Sequence, residues 1–201
     1  ITACTESGES PAQLMIRCGA IDSPLQYHQG MFLKAHFPQG AAHEQSLVVD
    51  QVALDAAISE LPLAEVTAFS IDDSGTTEFD DALSVTALEG GGHRIGIHIA
   101  APGLVIAKDD ALDKVARTRM STVYFPGDKI TMLPDTVIAQ FSLDEGAARP
   151  ALSIYVDIDS TGVLDKDSLQ LRAEMVPMGA NLRLENLEHQ VTEESLADTS
   201  A

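Results

Sequence analysis

The residues with the clearest chemical potential lie in one short segment. It reads Ile71-Asp72-Asp73-Ser74-Gly75-Thr76-Thr77-Glu78-Phe79-Asp80-Asp81-Ala82, which places five carboxylates within ten residues. Two carboxylates about 4 Å apart repel by about 4 kcal/mol at an effective dielectric of about 20. Converging several of them is therefore tolerable mainly where a cation sits between them; the alternative is a solvated acidic loop. Gly75, flanked by Ser74 and Thr76, would permit a tight turn that folds the later acids back toward Asp72. Phe79 and Ala82 interleave apolar side chains with the acids, as expected of a segment anchored in a core. A calcium loop of the EF-hand kind is excluded, because Ser74 and Thr76 stand where that pattern needs Asp or Asn. Oxygen donors at an open, partly hydrated site suit Mg²⁺.

The elements that must position this segment follow from periodicity. Before it, residues 1 to 44 are punctuated by Gly8, Pro11, Gly19, Pro24, Gly30, Pro38 and Gly40, which predicts short helices and turns. From Glu44 to Leu61 apolar residues recur at three- and four-residue steps, with Pro62 as a stop, which predicts a helix. After Val66 the period shortens to two, with Phe69 and Ile71, then Leu83 and Val85, then Ile95, Ile97 and Ile99. Strands are expected there, the second and third joined as a hairpin through Glu89-Gly90-Gly91-Gly92-His93. If the isoleucines face the core, His98 points the other way. Asp109-Asp110 can cap a helix reaching about Met120. Strands follow over 152 to 158 and 169 to 175, separated by the turn Ser160-Thr161-Gly162, and residues 181 to 190 read as helical.

The fold class is thus α+β: a mixed, mainly antiparallel sheet with flanking helices, preceded by a small helical region. Residues 1–64 form the helical lead-in and 65–201 the sheet domain. Ending after one short helix, that sheet is expected to lack cover on its other face or edge.

Composition bounds the function. With 12 Lys and Arg against 31 Asp and Glu, the formal charge is −19, which argues against a broad basic surface for polyphosphate. The cations are unevenly placed: Lys108, Lys114, Arg117, Arg119 and Lys129 fall in a 22-residue stretch that could form a local phosphate-facing patch. Cys4 and Cys18 have neither CxxC spacing nor histidine partners, so a zinc knuckle or disulfide framework is not indicated and a reducing cytoplasm is the expectation. The longest uncharged stretch, residues 95 to 107, is short and broken by Pro102 and Gly103, so no membrane span is expected.

Asp72, Glu78, Asp80 and Asp81 fall on the spacing of the signature of the ribonuclease II (RNB) family: an acid, five residues, an acid, one residue, then two Asp. Downstream, His98-Ile99-Ala100, Leu112-Asp113 with Ala116 and Arg119, Tyr124-Phe125-Pro126-Gly127, Met132-Leu133-Pro134, Ser142-Leu143 and Arg149-Pro150-Ala151-Leu152 resemble successive segments of the same family, over roughly residues 66 to 175. Two departures stand out. Glu78 replaces the usual Asp, adding one methylene to a ligand arm, and Ala101 stands where many members have Asp.

The resemblance implies the amino-terminal part of an RNB catalytic domain, from an enzyme that hydrolyses single-stranded RNA from its 3′ end to nucleoside 5′-monophosphates. It further implies Mg²⁺ on Asp72, Asp80 and Asp81 with Glu78 assisting, two-metal chemistry, no small-molecule cofactor, and Asp80 as the residue most needed. The family's catalytic arginine and glutamate belong to a segment beyond these residues. Tyr124 becomes a candidate stacking platform for an RNA base, the alternative being core packing. Arg119 becomes a phosphate contact unless it only snorkels from its helix, and His98 an RNA contact unless it is a hydrogen-bonded structural residue. Two rival readings remain: a non-catalytic RNA-binding module with this fold, and a plain divalent-cation-binding domain.

Overall fold

A computed structural model describes residues 2–188. In chain order its elements are helices α1 (Thr2–Ser7), α2 (Pro11–Arg17), α3 (Pro24–His36) and α4 (Gln51–Ser59), then strands β1 (Ala68–Asp72), β2 (Asp81–Ala87) and β3 (His93–Ala100). A 3₁₀ turn, Pro102–Leu104, leads to α5 (Ala111–Arg119), the strands β4 (Val123–Phe125) and β5 (Asp128–Ile130), α6 (Asp135–Phe141), β6 (Ala148–Ile158), β7 (Leu164–Arg183) and α7 (Leu184–Glu188). The mixed α+β class with a mainly antiparallel sheet is therefore observed. Among the described residues no helix is long and apolar enough to cross a membrane. Residues 189 and 190 of the expected last helix lie outside the described residues.

Two compact units are present. One comprises residues 1–47 and 115–133, the other 48–114 and 134–201. In the first, Ser10 and Ser23 start α2 and α3 by accepting from the Gln13 and Gln26 amides, with Pro11 and Pro24 at the first helical position. Phe32 of α3 meets the edge of Phe125 of the β4–β5 hairpin, ring centroids 5.5 Å apart.

In the second unit the sheet has no open edge. The order β1-β2-β3-β6-β7 closes on itself because β7 returns to pair parallel with β1, while every other pairing is antiparallel. The expected uncovered edge is thus corrected: the 20-residue β7 is long enough to pair with β6 along one part and with β1 along its last residues. Helix α4 is shorter than expected, since Asp50 caps it by accepting from the Val52 and Ala53 amides. The Gly-rich hairpin loop is present, with Gly90, Gly91 and Gly92 all at positive φ.

The barrel is filled with unusual side chains. Ala68, Ala82, Ala151, Val176 and Met178 pack with Phe79 and Leu143 as an apolar cluster. Beside them Ser70, Ser84, His98, Ser153 and Glu174 are buried. Gly96 lies so close to its neighbours that an added Cβ would stand 2.3 Å from Ser84 Oγ and 2.9 Å from Tyr155 Cε1. Ile97 and Ile99, at 38% and 42% exposure, face outward and His98, at 0%, faces inward, the reverse of a core-facing isoleucine row.

Candidate functional site

The barrel's strand ends assemble the acidic segment. Asp72 ends β1, Asp81 opens β2, Ile99 pairs with Asp81 near the end of β3, and Arg183 closes β7 opposite Asp72. Antiparallel and parallel pairings thereby bring these termini to one end of the barrel. The segment between β1 and β2 has no regular structure but is anchored at both ends. The Phe79 amide donates to Ser142 Oγ (3.1 Å) and the Leu143 amide to Phe79 O (2.8 Å), so the buried ring is pinned through its backbone. The Ala100 amide donates to Asp80 O (2.8 Å). A turn forms where expected, with the Thr76 amide donating to Asp73 O (3.0 Å), although Gly75 is not at positive φ and its freedom is not what makes the turn.

Residues outside the segment hold it, and none of them had a role assigned from the sequence, although Ser142 and Arg149 lie in the family-like segments. Arg183 Nη1 donates to Asp73 O (2.9 Å) and Thr76 O (3.3 Å), and its guanidinium lies 5.3 Å from the Phe79 ring centroid. A side-chain hydrogen bond from Ser74 holds the Glu185 carboxyl below the usual range. Ser70, 1% exposed, donates to Asp72 Oδ2 at 2.6 Å. Ser142 Oγ also donates to Asp144, which receives Arg149 Nη2 on its other oxygen, both at 3.1 Å. Asn181 and Arg183 fall in a stretch whose sequence reads as helical; the structure carries β7 through Arg183 instead, and period two then puts both on one face.

The four signature acids are near each other in the fold but not gathered. Asp80 and Asp81 are exposed, while Asp72 and Glu78 are half-buried. Among the described residues, no three or more His, Cys, Asp or Glu side chains form a group that could hold a metal ion. The donor chemistry suits Mg²⁺; the spacing in this structure does not.

His98 is not placed to touch a ligand. Its Nδ1 meets Ser153 Oγ at 2.8 Å and its Nε2 meets Ser84 Oγ at 2.9 Å, and burial pushes its pKa down. Tyr155, edge-on to His98, donates to Glu174, and its pKa is pushed up to about 12 by burial first and by Glu174 second. The expected RNA contact at His98 is corrected to an interior role.

In the other unit, Arg119 is likewise committed: Nη1 donates to Thr131 O (2.7 Å) and to His43 Nε2 (2.9 Å), and Nη2 to Ala41 O (2.7 Å). Its guanidinium sits 5.4 Å from the Phe37 ring centroid, and burial lowers its pKa. It ties residues 41–43 to Thr131 with three of its five N–H donors, so most of its hydrogen-bonding capacity serves the fold. Tyr124 is 70% exposed on β4, opposite Lys129 on β5. Of the three expected RNA contacts it is the exposed one, Arg119 being half-buried and His98 fully buried.

The RNB domain model matches residues 61–188, which contain the barrel and the acidic segment. The chain belongs to the RNB domain family. Exoribonuclease 2 of Vibrio vulnificus is 36% identical over 138 residues, which cover 68% of this chain and 21% of that protein. The chain therefore spans about a fifth of the length of such curated relatives. RNase R of Mycoplasma genitalium, solved with ribose-methylated single-stranded RNA, superposes with a TM-score of 0.62 at 16% identity, over 79% of this chain and 27% of that one. Yeast Ssd1, described as a pseudonuclease, superposes with a TM-score of 0.65 at 22% identity, over 75% of this chain and 19% of that one. At these identities both likenesses establish the RNB-type fold.

Proposed function

We propose that the protein carrying this chain is an exoribonuclease that shortens single-stranded RNA from its 3′ end to nucleoside 5′-monophosphates, and that residues 65–201 are the amino-terminal part of its catalytic domain. The observation that carries this reading is the coincidence of the family match over 61–188 with the family's spacing of acids, Glu78 standing for one Asp, at one barrel end. Mg²⁺ is the cation that Asp72, Glu78, Asp80 and Asp81 would take, and binding it requires these carboxylates, apart here, to draw together. Asp80, fixed by its own carbonyl to β3, is the acid whose loss should cost most. Tyr124 offers its exposed ring to a base.

The test uses 3′- and 5′-labelled single-stranded RNA with the intact gene product and Asp80→Asn. Mononucleotides released from the 3′ label by the parent, and none by the variant at nearly unchanged RNA affinity, are expected, since the lost charge acts mainly on the transition state. Turnover within a few-fold of the parent in Asp80→Asn refutes the assignment. A second reading, a non-catalytic RNA-binding module, is favoured by the ungrouped carboxylates and by the fold shared with a pseudonuclease. RNA bound with no product from the parent decides for it.

A further inference from the structure

β7 runs parallel to β1 in the register Ser70 with Asn181 and Asp72 with Arg183. Asn181 and Arg183, two apart on a strand, therefore share a face beside the acidic segment. The Asn181 amide is fully engaged: Nδ2 donates to Ser70 Oγ and to Leu143 O, both at 2.9 Å, and Oδ1 accepts from the Glu145 amide at 2.7 Å. Ser70 Oγ accepts from Asn181 and gives its own proton to Asp72 Oδ2. Since a serine hydroxyl has one proton, the direction of this chain is fixed: Asn181 to Ser70 to Asp72. Arg183 then takes the next residues, with two carbonyls of the turn on one nitrogen and the Phe79 ring under the guanidinium plane. Only a planar fork does both at once; a lysine ammonium lacks the stacking face.

We infer that Asn181 and Arg183 are positioning residues for the acidic segment, Asn181 aiming the Asp72 carboxylate through Ser70 and Arg183 fixing the turn at residues 73–76 and the approach to Asp80. The inference rests on the reading of this segment as the part that acts on RNA. A displacement of about 1 Å in a reacting group can cost about 100-fold in rate, so the effect belongs in kcat and not in RNA binding.

The experiment measures kcat, KM and RNA affinity of the intact gene product and its Ser70→Ala, Asn181→Ala, Ser70→Ala/Asn181→Ala and Arg183→Lys variants, with amide hydrogen exchange over residues 73–80. Each single variant should lose about 10- to 100-fold in kcat at KM within about twofold of the parent. The double variant should be no worse than its worse single, because both act along one chain of hydrogen bonds. Arg183→Lys should speed exchange at Thr76 and its neighbours. Unchanged kcat in the single variants overturns the inference. So does a loss that RNA affinity and thermal midpoint follow in step, which marks a merely structural role, and additive losses in the double variant remove the relay. If the parent cleaves no RNA, the functional reading fails by itself. The positioning claim is then decided by exchange and by the ¹³C signal of the Asp72 carboxyl: mobility gained in the variants sustains it, and no change overturns it.

Discussion

Replacing His98 with Leu should destabilise the barrel by roughly 3 kcal/mol at pH 8, because the imidazole is the partner of two buried hydroxyls and each orphaned group costs about 1–3 kcal/mol. Set against a typical total of about 5–15 kcal/mol, that is a large fraction. The pH dependence follows from the same burial. His98 titrates below its ordinary value because desolvation opposes the charged ring, with Glu174 pulling weakly the other way. Above the unfolded value of about 6.5 both states are neutral and the contribution is fully present. As pH falls below it the unfolded chain takes up a proton that the folded barrel refuses, so stability is lost at up to about 1.4 kcal/mol per pH unit until the folded pKa is reached. The charged and titratable groups around it are Glu174, Tyr155 and the Arg172 guanidinium over the Tyr155 ring. Urea unfolding of parent and His98→Leu at pH 8, 7, 6 and 5 measures both effects, and the gap between the two proteins should narrow toward acid. A variant within about 1 kcal/mol of the parent at pH 8, or a gap that does not narrow, refutes the interior role.

Gly96→Ala should cost about 1–3 kcal/mol by the same measurement, since its Cβ would meet Ser84 Oγ at 2.3 Å and His98 Nε2 at 2.8 Å; a neutral substitution would show that the interior is looser than described. Tyr124→Ala, made in the Asp80→Asn background to prevent cleavage, should weaken RNA binding by about 1–3 kcal/mol while Tyr124→Phe stays near the parent; equal losses in both would rule out stacking. Arg119→Ala should lower thermal stability yet leave the salt dependence of RNA binding unchanged, because its guanidinium is engaged by Ala41, His43 and Thr131; a slope reduced by about 1 would make it a phosphate contact after all.

Much of the fold was legible because it is local. Alternation in 69–71, 83–85 and 95–99 located three strands, the glycines at 90–92 located the hairpin, and Asp110 caps α5 by accepting from the Asp113 amide. The acidic signature was legible as spacing. Closure of the barrel was not, because it depends on Ala180 to Arg183 pairing with residues more than a hundred positions earlier, and no local pattern encodes a parallel partner. The inward face was misread for a related reason. Ile97 pairs between Leu83 and Ile154, and Ile154 with Leu171, so a full apolar row crosses four strands on the outside. Period two shows that two faces differ, not which of them a closed barrel turns inward. The interior here admits serine, glycine and one imidazole where Ser84, Gly96 and His98 meet Ser153 and Tyr155, and Gly96 has no room even for a methyl group.

That division also bears on how the acidic segment keeps its charge. An arginine beside clustered carboxylates would ordinarily pair with one of them, as Arg149 does with Asp144 and Arg94 with Asp157. Arg183 instead spends its hydrogen bonds on the carbonyls of Asp73 and Thr76 and its flat face on Phe79. Ser70 likewise holds Asp72 with a neutral hydroxyl, supplied in turn by a neutral amide. Shape is thus fixed through backbone and uncharged donors, and the negative charge is not cancelled by a salt bridge from Arg183. For the proposed function this leaves Asp72 aimed by a neutral donor and Arg183 committed to the backbone of the turn, which fits a segment that would draw its acids together around a cation. On this argument Arg183→Glu should slow RNA cleavage more than Arg183→Ala, by setting a further negative charge beside the acidic segment. Equal rates in the two variants would show that the charge at residue 183 does not reach it.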